Sequence, residues 1–398
     1  MAVADNQPHQ NRVEREFAVY VERFGDFLRR TTSCPEGRPT AWPAEEVEAE
    51  FNALACDLFR LQYAAVTPYR HFCDARGASP DRVEHWHQIP AMPTAAFKEW
   101  ELSSLPLASR PRVFLSSGTT QRLPSRHFHN AETLAIYEAS LLPWFRCHLL
   151  PEDLAGPRNA SRRWPFLFLL PPPDRCQTSS LVHMADAVRQ HFGTPDSAFV
   201  SDRQPDGSWC LSQGRLLSEL ERSAERATPV VLFGTAFAFV ELVDCLAARQ
   251  RSVRLPHGSR LMETGGYKGR SRVLSRSELF AAISTGLGLS PSHMVSEYGM
   301  SELSSQAYDH VAGDPTPLAE RCFRFPPWAR AAIVDPETGL EAAAGAVGLI
   351  QICDLANVRS VMAVQTEDLG LRLEAGFQLR GRAAWTEPRG CSLQQALP

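Results

Sequence analysis

Val113-Phe114-Leu115-Ser116-Ser117-Gly118-Thr119-Thr120 is a stretch in which a short apolar run gives way to hydroxyl side chains and glycine. The apolar part predicts a strand, and the polar part is then the loop at its end. Glycine lets the backbone come close to an anion, while N–H groups and hydroxyls donate hydrogen bonds to phosphoryl oxygens. The pattern predicts a phosphate loop made of Ser116, Ser117, Gly118, Thr119 and Thr120. It lacks the Gly-Lys-Ser/Thr ending of a Walker loop, and a polar surface turn is the alternative.

Two downstream segments add carboxylates of the kinds that an ATP site needs. Glu302 closes Ser296-Glu297-Tyr298-Gly299-Met300-Ser301-Glu302, and we expect it just beyond a strand, where a carboxylate can coordinate Mg²⁺. Asp368, in Thr366-Glu367-Asp368-Leu369-Gly370, is expected on a turn closed by glycine, where it can hydrogen-bond two ribose hydroxyls. Each segment alone is also typical of a solvated acidic turn. In this order, however, phosphate loop, magnesium carboxylate and ribose carboxylate together predict a complete ATP site.

These motifs resemble those of the adenylate-forming superfamily of acyl-CoA synthetases, peptide-synthetase adenylation domains and luciferases, with Gly381-Arg382 in the place of the superfamily's hinge. Within it the chain resembles the bacterial acyl-protein synthetases of the LuxE type, the fatty-acid-activating subunits of fatty acid reductase systems. The resemblance runs from about Pro90 to the C-terminus. Its extended motifs are Ile89-Pro90-Ala91-Met92-Pro93 with Phe97-Lys98, Pro124-Ser125-Arg126-His127, Ser179-Ser180-Leu181-Val182-His183-Met184, Phe233-Gly234-Thr235-Ala236-Phe237, Glu263-Thr264-Gly265-Gly266-Tyr267-Lys268-Gly269-Arg270 and Arg389-Gly390-Cys391-Ser392-Leu393.

The resemblance implies an α/β fold, that of the adenylate-forming large domain, with mixed sheets, packed helices and a C-terminal domain truncated to a short tail. Apolar residues at helical spacing over 11–30 and 44–69 predict a helical preface, and after Pro90 short apolar runs alternate with helical stretches. We expect a helical N-terminal region over 1–88, the core domain over 89–380 and the tail over 381–398. Strands are predicted at 113–115, 165–170, 230–233, 260–263, 293–296, 331–334, 348–353 and 371–374, and helices at 131–149, 181–191, 216–226, 237–249 and 277–284.

The resemblance also assigns further residues to the nucleotide. Tyr298 belongs to this set, and Gly265 and Gly266 are expected against adenine, since their missing side chains let the base approach the backbone. Arg382 is expected on ribose or phosphate, although an arginine at a hinge is equally well explained as solvated.

The resemblance also implies which residues contact the carboxylic acid substrate. Phe233, Gly234 and Thr235 are expected to line the acyl pocket, although aromatic residues beside a buried strand are also typical of a core. His183 is expected to polarise the substrate carboxylate, and His127 is a second candidate for that role or for phosphate. Lone histidines are commonly structural, which is the alternative for both.

Cys391, in Arg389-Gly390-Cys391-Ser392-Leu393, is by resemblance the residue that takes the acyl group from the adenylate as a thioester. Gly390 gives the chain mobility, Arg389 can favour the thiolate, and a chain terminus can swing into a site. The alternative is a terminal thiol with no role among ten cysteines.

Three features depart from the superfamily pattern. Gln121 stands where many relatives have glycine, and Ala384 replaces the aspartate usual at the hinge. The chain ends at Pro398, whereas a full-length member continues for roughly a hundred residues. We therefore expect the mobile C-terminal domain and its lysine to be missing, so that only a short tail moves.

Bulk properties exclude several classes of function. The 398 residues are 44% hydrophobic, which suits a globular enzyme, and the net charge of -4 gives no attraction for nucleic acid. The ten cysteines include no Cys-x-x-Cys pair, which is typical of reduced thiols in the cytoplasm. The N-terminus has no signal-peptide apolar region, and no apolar run is long enough to span a bilayer. A cytoplasmic protein is expected.

The motifs predict an ATP- and Mg²⁺-dependent ligase that adenylates a carboxylic acid, by resemblance a fatty acid. It is expected to pass the acyl group to Cys391 and then to a partner protein, such as an acyl reductase or an acyl carrier. One alternative is a stand-alone adenylating enzyme that delivers the acyl group to coenzyme A or to a carrier-protein thiol. Another is a non-catalytic scaffold, which the intact Glu302 and Asp368 disfavour.

Overall fold

The computed structural model describes residues 7–32, 44–116, 123–155, 162–265 and 274–383. The chain divides into two compact units. The first unit takes its described residues from Met1–Ser140, Met300–Ser305 and Phe325–Pro398, and the second unit from Leu141–Gly299 and Gln306–Arg324. Within the described ranges, no helix combines the length and the apolar character that a membrane span requires.

Helices and strands alternate along most of the chain. The α-helices of the described ranges are α1 (Gln7–Thr32), α2 (Ala44–Ala65), α3 (Thr67–Asp74), α4 (Ala96–Glu99), α5 (Ala131–Leu149), α6 (Glu152–Ala155), α7 (Ser180–Phe192), α8 (Gln213–Glu225), α9 (Ala236–Ala248) and α10 (Arg276–Leu287). The strands are β1 (Met92–Pro93), β2 (Arg112–Leu115), β3 (Arg126–His129), β4 (Phe166–Leu169), β5 (Ala198–Phe199), β6 (Ser201–Arg203), β7 (Trp209–Leu211), β8 (Val231–Thr235), β9 (Arg260–Thr264), β10 (Met294–Tyr298), β11 (Ala307–Tyr308), β12 (Ala329–Val334), β13 (Val347–Asp354), β14 (Ala363–Leu373) and β15 (Gly376–Arg382).

The first unit contains a mixed sheet in the order β1-β14-β13-β12, with β15 also paired to β14. β1 runs parallel to β14, and the other pairs are antiparallel. A separate antiparallel pair, β2 with β3, also belongs to this unit. The predicted class, α/β with mixed sheets, is confirmed here.

The second unit is built on a sheet in the order β11-β10-β9-β8-β4-β5. β10, β9, β8, β4 and β5 are parallel, and only β11 is antiparallel among the described strands of this sheet. Leu167, Leu232 and Leu261 from three neighbouring strands pack with apolar side chains of α8, α9 and α10. Burial on both faces explains why these strands read as continuous apolar runs in the sequence.

Helix starts in the second unit are fixed by hydroxyl caps. The Ser179 hydroxyl accepts a hydrogen bond from the backbone N–H of Val182, at the start of α7. Ser275 and Glu278 form a capping box at the start of α10, which ends at Gly288 with φ 68°. Each cap satisfies N–H groups that the first helical turn leaves unpaired. The helices follow the carboxyl ends of β4 and β9, so their N-termini face that edge of the sheet.

Most predicted elements are confirmed to within a few residues, including β2, β4, β8 to β10, β12, β13, α5 and α7 to α10. The helical spacing over 44–69 corresponds to two helices, since α2 ends at Ala65 and α3 begins at Thr67 with Pro68 in its first turn. Proline has no N–H to continue the ladder of the preceding helix. β3 and β15 were not predicted.

The predicted turn around Asp368 is wrong. β14 runs unbroken from Ala363 to Leu373, so Asp368-Leu369-Gly370 lies inside a strand and the strand predicted at 371–374 is only its end. A β-bulge falls between Leu369 and Gly370 where β15 pairs. A Cβ at Gly370 would lie 2.6 Å from Ile333 Cδ1, so a larger residue there would force the Ile333 side chain to shift.

Candidate active site

Ser116 closes the base of the predicted phosphate loop at the end of β2. Its N–H donates to the carbonyl oxygen of Ser125 at 3.1 Å, and its hydroxyl accepts from the Ser125 N–H at 2.9 Å. These two bonds continue the pairing of β2 with β3. The other predicted members of the loop lie outside the described residues, and their phosphate contacts stay a prediction: Ser117, Gly118, Thr119 and Thr120.

Glu302 follows β10 in the chain and is 5% exposed. The Ser301 hydroxyl donates to Glu302 Oε2 at 3.0 Å. Asn357 Nδ2 donates to the Glu302 carbonyl oxygen at 2.8 Å, and His127 Nδ1 lies 3.0 Å from the Ser301 carbonyl oxygen. The carboxylate and the peptide that precedes it are thus held by groups from separate segments of the first unit.

Asp354, which is fully buried, anchors the segment after Glu302. Its Oδ2 accepts from the N–H groups of Ser304 and Ser305, both at 2.8 Å. Its Oδ1 accepts from the Ser305 hydroxyl at 2.7 Å and from the Ala356 N–H at 3.0 Å. Hydrogen bonds to an ionised acceptor are stronger than neutral ones, so this carboxylate makes the segment rigid. A rigid backbone is what a preorganised electrostatic site requires.

Asp368 and Arg382 lie directly opposite one another on β14 and β15. Arg382 Nε donates to Asp368 Oδ1 at 3.1 Å, and the Asp368 side chain is 15% exposed while that of Arg382 is 63% exposed. The structure therefore brings two predicted nucleotide residues together. Their contacts with ribose or phosphate stay a prediction.

Three predicted residues of the second unit lie at one edge of its parallel sheet. Thr235 pairs with Thr264, and Thr264 pairs with Glu297, so β8, β9 and β10 end together. Gly265 and Tyr298 are the residues that follow these pairs. Gly265 has φ 72°, and a Cβ placed there would meet no described atom within 4 Å. The carboxyl edge of a parallel sheet is where α/β proteins bind ligands, and the open space suits the predicted approach of adenine.

The predicted acyl-pocket residues have packing contacts of their own. Phe233 is fully buried, with its ring 5.4 Å from that of Phe168. A Cβ on Gly234 would lie 2.8 Å from Leu169 Cβ. The Thr235 hydroxyl accepts from the Ala238 N–H and caps α9. A role for these residues in binding an acyl chain stays a prediction.

His183 and Tyr298 belong to different elements of the second unit. His183 is half-buried in the first turn of α7, after the cap at Ser179. Tyr298 is buried at the end of β10, with its ring 6.0 Å from that of Phe323. Catalysis by His183 and nucleotide binding by Tyr298 are not tested by these contacts and stay predictions.

Two buried carboxyl groups at this edge were missed by the sequence analysis. Burial raises the pKa of Glu263 to about 8, and the nearby Asp309 carboxylate adds to the effect while Arg276 opposes it. Burial raises the pKa of Glu297 to about 7, although the hydrogen bond that it accepts from the Thr264 hydroxyl lowers that pKa. Raised carboxyl pKa values are typical of functional sites. In the sequence each is an acidic residue within a strand-forming run, Glu297 directly before Tyr298 and Glu263 two positions before Gly265.

His127 is a buried residue of β3, and its predicted contact with the substrate carboxylate or with phosphate stays a prediction. Burial lowers its pKa to about 4, although the hydrogen bond to the Ser301 carbonyl opposes that shift. Its ring lies 4.2 Å from that of His129. Gly266 and Cys391 fall outside the described residues, so adenine binding by the first and acylation of the second also stay predictions.

The structure is similar to solved structures of 2-hydroxyisobutyryl-CoA ligase. The ligase in the postadenylation state in complex with 2-HIB-AMP gives a TM-score of 0.61 at 14% identity, covering 85% of this chain and 68% of the ligase. The ligase in complex with 2-HIB-AMP and CoA in the thioesterification state gives 0.60 at 15% identity, covering 85% and 69%. At such identities the similarity establishes the fold, which is that of the adenylate-forming enzymes.

The family model described as acyl-protein synthetase, LuxE, matches residues 33–397. The match takes in most of the chain, so this protein belongs to the LuxE acyl-protein synthetase family, and it is a ligase. No curated protein sequence matches it significantly. Because the family match begins before α2, it covers helices that precede the motifs from Pro90 onward.

Proposed function

We propose that this protein uses ATP to convert a carboxylic acid, a fatty acid on the family resemblance, into acyl-AMP. It then takes the acyl group on Cys391 as a thioester and passes it to a partner protein, such as an acyl reductase. The observation that carries the proposal is the buried Glu302 carboxylate, fixed through Ser301 and Asn357 directly after β10 in the chain. Family membership over residues 33–397 supports the acyl chemistry.

Adenylation solves a chemical difficulty, because a carboxylate is a poor electrophile and does not acylate a thiol at neutral pH. In the proposed step a carboxylate oxygen bonds to the α-phosphorus of ATP, and the bond from that phosphorus to the bridging oxygen breaks. Pyrophosphate leaves with the electron pair, and the acid becomes a mixed anhydride. Catalysis of such a step is chiefly positioning and stabilisation of charge on phosphoryl oxygens.

The single Glu302 carboxylate is compatible with a magnesium ion that takes its other ligands from phosphates and water. Mg²⁺ takes oxygen ligands and is commonly held by one or two carboxylates together with substrate phosphates. Glu302 offers such a carboxylate, and the Ser301 hydroxyl and the buried backbone fix its direction. When bound there, the ion would neutralise charge on the phosphates. Asp368 would bind the ribose hydroxyls, with Arg382 orienting its carboxylate.

Transfer to sulfur completes the proposed reaction. The Cys391 thiolate attacks the acyl carbonyl, the C–S bond forms, and the bond from the carbonyl carbon to the phosphate oxygen breaks to release AMP. The thiol proton goes to solvent. The family resemblance of Arg389-Gly390-Cys391 supports this step, since a neighbouring arginine favours a thiolate.

Transfer to coenzyme A or to a carrier-protein thiol is the second candidate. Its specific support is the similarity to a ligase solved with CoA in its thioesterification state. In this alternative Cys391 has no part in the reaction.

Acid-dependent ATP–pyrophosphate exchange tests the adenylation step. We expect the purified protein to catalyse exchange with at least one acid from a panel running from short aryl to long alkyl acids. Glu302→Gln should lower the rate on the order of 100–1000-fold, as loss of one charge-stabilising group commonly does. Glu337→Gln is the matched control, because Glu337 is an exposed carboxylate of the first unit. Exchange that is absent with every acid, or equal in both variants, contradicts the proposal.

Cys391→Ser separates the two acceptors. Under the first candidate, mass spectrometry shows a covalent acyl group on the wild type and on the control Cys176→Ser, but not on Cys391→Ser, which still catalyses pyrophosphate exchange. Cys176 suits the control because it is a half-buried free thiol of the second unit. Undiminished transfer from Cys391→Ser to added coenzyme A would instead support the second candidate.

A further inference from the structure

Residue His127 connects two parts of the proposed site within the first unit. It lies on β3, the strand that leaves the phosphate loop, shortly after the Ser125 N–H that bonds the Ser116 hydroxyl. Its own ring reaches a carbonyl far along the chain, at Ser301, at 3.0 Å. The next residue is Glu302. One side chain therefore joins the exit of the phosphate loop to the peptide that carries the proposed magnesium ligand.

The direction of this hydrogen bond follows from its chemistry. A carbonyl oxygen can only accept, so the Nδ1 atom of His127 carries the hydrogen and donates it to Ser301. The ring is 3% exposed, which keeps water from replacing the bond. Without the imidazole, the Ser301 carbonyl would lose its buried donor, and the peptide between Ser301 and Glu302 would be held less firmly.

Asn357 holds the backbone carbonyl of Glu302. Its Nδ2 donates to the Glu302 carbonyl oxygen at 2.8 Å, and its Oδ1 accepts from the Ser304 hydroxyl at 2.7 Å. Glu302 is thus fixed by donors on the carbonyl before it and on its own carbonyl. Groups that orient a metal ligand without touching the metal commonly change affinity or activity on the order of 10–100-fold when mutated.

We propose that His127 is a positioning residue, which sets the direction of the Glu302 carboxylate toward Mg²⁺–ATP through the Ser301 carbonyl. The inference rests on the proposed function, since it takes Glu302 as the magnesium ligand. It differs from a direct role in catalysis, because His127 acts through the Ser301 carbonyl. It also differs from a purely structural role, because it requires that metal binding and stability respond differently to substitution.

The test uses the full chain and three substitutions. His127→Leu removes the donor and keeps an apolar side chain, whereas His127→Asn places an amide N–H near the position of Nδ1. Tyr69→Phe is the matched control, since it removes a buried hydroxyl that donates to the Pro90 carbonyl oxygen at 2.9 Å in the same unit. Isothermal calorimetry measures the binding of ATP over a range of Mg²⁺ concentrations, and melting temperature reports stability.

We expect His127→Leu to weaken Mg²⁺-dependent ATP binding about tenfold or more, with His127→Asn close to wild type. Tyr69→Phe should melt lower without any change in the Mg²⁺ dependence. Equal Mg²⁺ dependence in His127→Leu and wild type would overturn the inference, as would an equal loss in Tyr69→Phe. If the wild type binds Mg²⁺–ATP but gives no pyrophosphate exchange with any acid, the proposed function fails while the calorimetry still decides the role of His127. Absence of ATP binding by the wild type overturns both.

Discussion

Substitution of Asp354 by asparagine should loosen the segment that follows Glu302. The carboxylate accepts two N–H groups on Oδ2 and a hydroxyl and an N–H on Oδ1, at 2.7 to 3.0 Å. In the less costly orientation the amide NH₂ takes the place of Oδ1, where it can donate to the Ser305 hydroxyl but faces the Ala356 N–H, so one hydrogen bond is lost. A hydrogen bond to a charged acceptor contributes about 1.5 kcal/mol or more, so the free energy of unfolding should fall by at least that amount.

Thermal melting and pyrophosphate exchange measure the two consequences of Asp354→Asn. A loss of that size lowers the melting temperature by roughly 3 °C or more in a domain of this size, and exchange should fall because Glu302 loses its rigid support. Asp335→Asn is the control, since that carboxylate accepts N–H groups of Glu337 and Thr338 in a turn at the surface. A variant that melts and reacts like wild type would refute the assignment of Asp354 as the anchor.

Three further substitutions test other parts of the structure. Gly370→Ala should lower the free energy of unfolding by about 1–3 kcal/mol, because its Cβ would lie 2.6 Å from Ile333 Cδ1; an unchanged urea midpoint would contradict this packing. Glu263 binds a proton more tightly in the folded chain, so its contribution to stability falls as pH rises from 4.5 to about 8. In urea titrations, the free energy of unfolding of Glu263→Gln should therefore rise relative to that of the wild type across this pH range. The same pH dependence in both proteins would contradict the raised pKa of Glu263. Arg260→Met should destabilise the second unit by about 1–3 kcal/mol, since Arg260 is 1% exposed and bonds both oxygens of Glu152; melting that matches wild type would disprove this.

Elements with a clear apolar period were predictable from the sequence, whereas those defined by partners far along the chain were not. β4 is buried on both faces and appears as the run 166–169, and α5 has the bounds that its periodicity predicts. β3 reads Arg126-His127-Phe128-His129, in which buried positions are occupied by histidine. β15 carries exposed Arg380 and Arg382. Neither strand offers the apolar signal on which strand prediction depends.

The candidate site likewise combines residues that a local sequence pattern predicts with residues that are positioned by contacts far along the chain. A hydroxyl-rich loop after a strand is a local pattern, and Ser116 lies where that pattern places it. Asp368 resembles a turn residue because Asp and Gly are common in turns, yet both Asp368 and Gly370 lie inside β14, and Gly370 packs beside Ile333 of another strand. His127 and Ser301 are separated by 174 positions, so no local pattern could have shown their contact.

The Tyr298–Glu302 motif is short in sequence but its two ends depend on different partners. Tyr298 is placed by β10 and the parallel sheet of the second unit, whereas Glu302 is placed by His127 and Asn357 of the first. The presence of this motif in a sequence is therefore not sufficient to position a metal-binding carboxylate. The partners of Glu302 must be present as well: Asn357 lies outside every motif that identifies the nucleotide site, and His127 ends the separate motif Pro124-Ser125-Arg126-His127. For this reason substitutions at His127 or Asp354 should weaken the proposed reaction even though the motif is left intact.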